Sequence, residues 1–131
     1  MTERGRAVAA GALALAWAAL IAWASHQPNP FPSLPGALLS QDKLLHALGF
    51  GLLAFLARTA LAPVRPPLRA FLLAWGFSMG WGVLDEIHQS FIPNRMADVR
   101  DALADGAGAA AGAWLAGVRL RRVKSGASIR A

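Results

Sequence analysis

LRAFLLAWGFSMGWGVLDEIHQSFIPNRMADVRDALAD, residues 68–105, decides the fold. An apolar run, Leu68 to Leu84, ends on Asp85 and Glu86. Pro93 and Asn94 then break the chain. Asp98 and Asp101 lead into a second apolar run, Ala102 to Val118, with Asp105 near its start. Two apolar segments therefore place their acids at the same end. Working outward, Asp42 opens the preceding apolar segment in the same way, so six of the seven acidic residues fall on one side of a four-helix arrangement. A water-soluble domain spreads charge over its whole surface. Charge sorted by sign and by end is the pattern of an integral membrane protein.

Composition agrees. The chain has 131 residues and a mass of 13.8 kDa, enough for one domain. Hydrophobic residues make up 56% and charged residues 15%, against about 25% charged in soluble domains. The net charge of +6 raises the question of nucleic acid. No recognition motif accompanies it, and the basic residues flank apolar runs, so the charge is read as topological and no nucleic-acid partner is expected. Without cysteine there is no disulfide, thiolate metal site or cysteine nucleophile.

The four apolar segments are Ala7–Ala24, Leu44–Leu61, Leu68–Leu84 and Ala102–Val118. With their polar ends they predict helices over about 7–24, 44–61, 68–90 and 99–118 in one domain, residues 1–131. Each core run is roughly 26 Å long at about 1.5 Å per residue, near the minimum for a hydrocarbon layer of about 30 Å. The fourth is rich in Ala and Gly and needs partner helices to insert. Pro28, Pro30, Pro32 and Pro35 separate helices one and two, and Pro63, Pro66 and Pro67 separate two and three. Ser40 suits an N-cap, and the tail from Arg119 is expected to fray. The expected fold is all-α: an integral membrane four-helix bundle.

Lysine and arginine fix the expected orientation. The flanks 4–6, 58–69 and 119–130 hold ten of them, and the other two connections hold three: Lys43, Arg95 and Arg100. Ten against three predicts both termini in the cytoplasm and a multi-pass inner-membrane protein, with the acidic ends outward. A competing reading takes Arg4, Arg6 and the first apolar run as a signal peptide cleaved after Ala24. The retained helix is preferred, because the run is long for a signal peptide.

The residues that could carry chemistry lie at the acidic ends. Asp42, Lys43 and His46 share a face of helix two. Asp85 and Gln89 share one on helix three, with Glu86 beside them. Asp98, Asp101 and Asp105, at spacings of three and four, form a stripe on helix four that descends into the apolar zone. An acid inside a membrane helix costs on the order of 3 kcal/mol at mid-helix, so such groups face the bundle interior and are paired. The expected partners are Arg95 or Lys43 for the acids and a carboxylate for His46. His46, Glu86, Arg95 and Asp101 are expected to meet, with Arg95 ion-paired to one of Asp85, Glu86, Asp98 or Asp101. Asp105 is expected to face inward, its charge disfavoured unless Arg95, Lys43 or His46 reaches it. No spacing is diagnostic of a metal, and neither metal nor cofactor is expected. Gly76 with Gly80, and Gly108 with Gly112, predict close packing of helices three and four and a route to oligomers.

Taken in order, Asp42-Lys43-Leu44-Leu45-His46, Asp85-Glu86-Ile87-His88-Gln89, Phe91, Pro93, Arg95, Asp98, Asp101, Gly108 and Gly112 resemble the VanZ-like membrane proteins. Where the family pattern has Asn, this chain has Asp105. The resemblance implies a multi-span protein of the bacterial cell envelope, in a family named for a protein associated with low-level teicoplanin resistance, and it names no reaction. Three functions are compatible. One is an envelope protein whose outer polar cluster binds a lipid-linked or peptidoglycan-derived group or a partner protein. Another is a membrane-interface enzyme, with Glu86 or Asp101 as base, His46 as its partner, and Lys43 or Arg95 holding an anionic head group. The third is a small transporter. The first is preferred, because no nucleophile–base pairing is evident.

Overall fold

The computed structural model describes residues 1–28 and 42–128, all of whose regular structure is helical. The helices are α1 (Glu3–His26), α2 (Asp42–Leu61), α3 (Pro67–Gln89) and α4 (Val99–Ser128). The long connection before α2, with the expected Ser40 cap, lies outside the described residues. The helices alternate in direction, so the end of α1, the start of α2, the end of α3 and the start of α4 gather at one end.

Boundaries differ from expectation mainly at the termini. α1 starts at Glu3, because the Thr2 hydroxyl caps it by accepting the Gly5 N–H at 3.0 Å. α4 does not fray at Arg119 but runs to Ser128. Leu, Arg, Val and Lys are adequate helix formers, and no proline interrupts them. The turn between α3 and α4 closes through Asn94 at φ 63°, a left-handed conformation that asparagine tolerates better than most residues.

The packing is inverted relative to a water-soluble bundle. Among the described residues, ten of the twelve buried apolar residues are alanines; Phe50 and Leu53 complete the set. Large apolar side chains such as Leu15, Leu48, Leu68, Leu103 and Trp114 are exposed instead. The interior holds Asp85, Glu86, Gln89, Asp101, Asp105 and Arg58. Apolar groups outside and small and polar groups inside suit surroundings that are themselves apolar. Two helices, Glu3–His26 and Lys43–Leu61, are long and apolar enough to cross a membrane. α3 dilutes its apolar content with Gly, Trp and Ser, and α4 with Gly, Ala and Asp.

The closest pairing is α2 with α4, not α3 with α4. A methyl group on Gly108 would run into the Ala47 carbonyl, and one on Gly112 into the Gly51 carbonyl. A methyl group on Gly76 or Gly80 would meet open space, so this pair does not mediate packing within the chain. The two patterns look alike in sequence, and only the second lies on a face turned toward another helix. Polar side chains tie the remaining pairs by donating to helix carbonyls: Trp17 Nε1 to Gly49 O at 2.8 Å, Ser78 Oγ to Phe50 O at 2.7 Å, and Trp75 Nε1 to Gly106 O at 3.1 Å. α1 is held as a member of the bundle. It buries Ala10, Ala14, Ala18 and Ser25 at intervals of four and seven, and passes unbroken through the position of the alternative cleavage.

Candidate functional site

Lys43 stands in the first turn of α2. Its Nζ donates to Asp101 Oδ1 at 2.9 Å and to Asp98 Oδ2 at 3.2 Å. Lys43 is about half exposed, whereas Asp101 is buried, so the lysine reaches down from the surface to an acid below it. One turn further along α2, His46 Nδ1 donates to Asp105 Oδ1 at 2.9 Å. Asp105 is fully buried. The acidic stripe of α4 is therefore matched by a basic stripe of α2: Lys43 and His46, three residues apart, pair with Asp101 and Asp105, four residues apart.

Asp98 starts α4 as its cap. Its Oδ1 accepts the Arg100 N–H at 2.8 Å. That hydrogen bond first, and Lys43 second, hold the Asp98 carboxyl below the usual carboxylate range. The Asp98 N–H in turn donates to Glu86 Oε2 at 2.8 Å, which fixes the end of α3 against the start of α4. Glu86 and Asp85 are neighbours in sequence and diverge in space. Asp85 Oδ2 accepts from Gln89 Nε2 at 2.8 Å, and Gln89 also lies 3.4 Å from Ser25 Oγ on α1. Glu86 faces α2 and α4 instead. His46, Glu86 and Asp101 present ligand-type atoms that all lie within 4.8 Å of one another.

Three of the four residues expected to meet do so. Arg95 is the exception: among the described residues it forms no ion pair with Asp85, Glu86, Asp98 or Asp101. The acids have other partners. Lys43 holds Asp98 and Asp101, Gln89 holds Asp85, and a backbone N–H holds Glu86. The Arg95 backbone is tied to Ile92 O at 3.1 Å in the turn, and its Nε is buried without a hydrogen-bond partner among the described residues. Asp42 opens α2, but its side chain lies outside the described residues.

The sequence does not single out His26, and it offers His88 only as part of the Asp85–Gln89 motif. His26, the last residue of α1, stacks on His88, with Nδ1 3.2 Å from His88 Nε2. Beside them, Ala22, Trp23, Trp81, Leu84, Asp85, His26 and His88 line a mainly apolar pocket of about 470 Å³ between α1 and α3. The available signal was that His26 ends its apolar segment on the acidic side. The partner, 62 residues away, could not be read from local spacing.

These features define a small four-helix bundle with membrane-type packing and a polar network buried at one end. A model of the VanZ/LLP1 family matches residues 10–120. The chain belongs to that family. No curated protein and no solved structure matches it.

Proposed function

We propose that this chain is a single VanZ-like transmembrane domain, residues 1–131, crossing the bacterial inner membrane four times with both termini in the cytoplasm. In this reading its outward end binds a lipid-linked or peptidoglycan-derived group of the cell envelope. The observation that carries the reading is the pocket between α1 and α3, at the same end of the bundle as the polar network. Trp23, Trp81, Leu84 and Ala22 offer an apolar wall, and His26, His88 and Asp85 offer polar contacts at the same end. Lys43, half exposed at the same end, can meet an anionic head group beside its contacts to Asp98 and Asp101. A hydrocarbon chain against the wall and a charged head at the network match both parts. Retention of such a group at the outer face would alter how the cell surface presents itself and so change susceptibility to glycopeptides such as teicoplanin.

The test is binding of polyprenyl pyrophosphate and of lipid-linked peptidoglycan precursor to the purified protein in nanodiscs. Saturable binding that Trp81→Ala and Lys43→Gln each weaken is expected, with the lipid recovered intact. Absence of binding to either lipid overturns the reading. A second reading, an enzyme of the membrane interface, is favoured by one observation: among the described residues Glu86 Oε1 is buried without a hydrogen-bond partner, as a base awaiting substrate would be. Turnover of the same lipids, lost in Glu86→Gln, would establish it.

A further inference from the structure

We propose that His46, Glu86 and Asp101 form a site for one divalent cation of the zinc or manganese type. The proposal rests on the geometry of the cluster and is independent of the lipid ligand proposed above.

The donors come from three helices, so no local motif announces them. Their ligand-type atoms lie within 4.8 Å of one another. Donors about 2.1 Å from a tetrahedral metal are separated by about 3.4 Å, so side-chain rotation at the helix ends closes the gap. One imidazole and two carboxylates form a mixed nitrogen and oxygen set that suits these metals.

Three further observations point to a cation. Glu86 is 7% exposed, and among the described residues it uses only one carboxylate oxygen: Oε2 accepts the Asp98 N–H, and Oε1 is buried with no hydrogen-bond partner. A buried carboxylate oxygen without a donor is costly, and a metal ion satisfies it. Next, His46 is oriented as metal-binding histidines are. Its Nδ1 donates to the fully buried Asp105, a carboxylate contact of the kind that fixes the ring of such a histidine. Finally, the local charge is unbalanced. Glu86, Asp98, Asp101 and Asp105 face Lys43 and His46, while Arg95 and Arg100 form no ion pair with any of the four among the described residues. Lys43 occupies one oxygen of Asp101 and, being half exposed, can keep Asp98 when a metal takes the rest of the cluster.

The experiment uses the tag-free full-length chain in detergent, stripped with chelator and titrated with Zn²⁺ by calorimetry and with Co²⁺ by visible absorption. One equivalent is expected to bind. Glu86→Gln and Asp101→Asn should each weaken binding at least tenfold, and Asp105→Asn, which leaves all three donors in place, by about 10–100-fold. Glu3→Gln, at the far end of the bundle, should not change it. Melting temperatures identify any variant that is unfolded, and the remaining variants then decide. Absence of saturable binding overturns the proposal. So does one-equivalent binding that is unchanged in the folded Glu86→Gln and Asp101→Asn proteins.

Discussion

His46 on α2 and Asp105 on α4 are joined by a hydrogen bond of 2.9 Å in the interior of the bundle, with Asp105 inaccessible from outside. The contact spans 59 residues and joins the two most closely packed helices. It satisfies the condition under which a buried acid at position 105 is tolerable, since an imidazole reaches it. The other oxygen, Oδ2, has no hydrogen-bond partner among the described residues and lies against Gly82 of α3, where a methyl group would approach within 2.6 Å of it.

Asp105→Asn is therefore expected to fold as the parent does, because its amide oxygen still accepts from His46 Nδ1. Asp105→Leu removes the acceptor of that hydrogen bond, at a cost of about 1–3 kcal/mol. Thermal unfolding in detergent distinguishes the two. Parent-like stability of Asp105→Leu would show that the His46 contact contributes nothing.

Gly82→Ala makes an independent test of the same site. The added methyl would meet the Asp105 carboxylate, which is held by His46 and cannot withdraw freely. Overpacking of this kind costs about 1–3 kcal/mol. A melting temperature equal to that of the parent would mean that α3 does not press on Asp105.

The two glycine pairs should behave oppositely. Gly108→Ala and Gly112→Ala place methyls in the backbone of α2 and should abolish folded protein in detergent extracts. Gly76→Ala and Gly80→Ala meet open space and should leave the monomer as stable as the parent. Size-exclusion yield and melting temperature report both. Loss of the monomer fold in Gly76→Ala would contradict the assignment of that face to the exterior.

Lys43→Met leaves Asp98 and Asp101 without their shared cation. Removing one partner of a fully buried pair is strongly destabilising, whereas breaking an exposed pair costs little. Lys43 is about half exposed and Asp101 is buried, so the loss should fall between these limits. Double-mutant cycles with Asp101→Asn isolate the pair, and a coupling near zero would remove Lys43 from the network.

The four helices and the acidic end were legible in the sequence because both depend on local properties: apolar runs, proline breaks and charges at segment ends. The stripe Asp98, Asp101 and Asp105 was legible because helical spacing alone places it on one face. Three things were not. Arg95 was assigned an acid by proximity in sequence, but every nearby acid is held by Lys43, Gln89 or a backbone N–H that comes from elsewhere in the fold. Gly76 and Gly80 carry the same motif as Gly108 and Gly112, and only tertiary packing tells which pair faces a helix. The meeting of His46, Glu86 and Asp101 was expected from their shared end of the bundle, but the stacking of His26 on His88, 62 residues apart, is encoded by no local spacing.

The central claim is that the ends of α2, α3 and α4 form an outward-facing polar site. The chain has no cysteine, so single cysteines can report their side of the membrane without background. Met96, in the turn between α3 and α4, and Val64, between α2 and α3, are both exposed and suit the exchange. With a membrane-impermeant maleimide on spheroplasts, Met96→Cys should be labelled before lysis and Val64→Cys only after it. Labelling of Val64→Cys in intact spheroplasts, with Met96→Cys protected until lysis, would place the network on the cytoplasmic side and contradict the account.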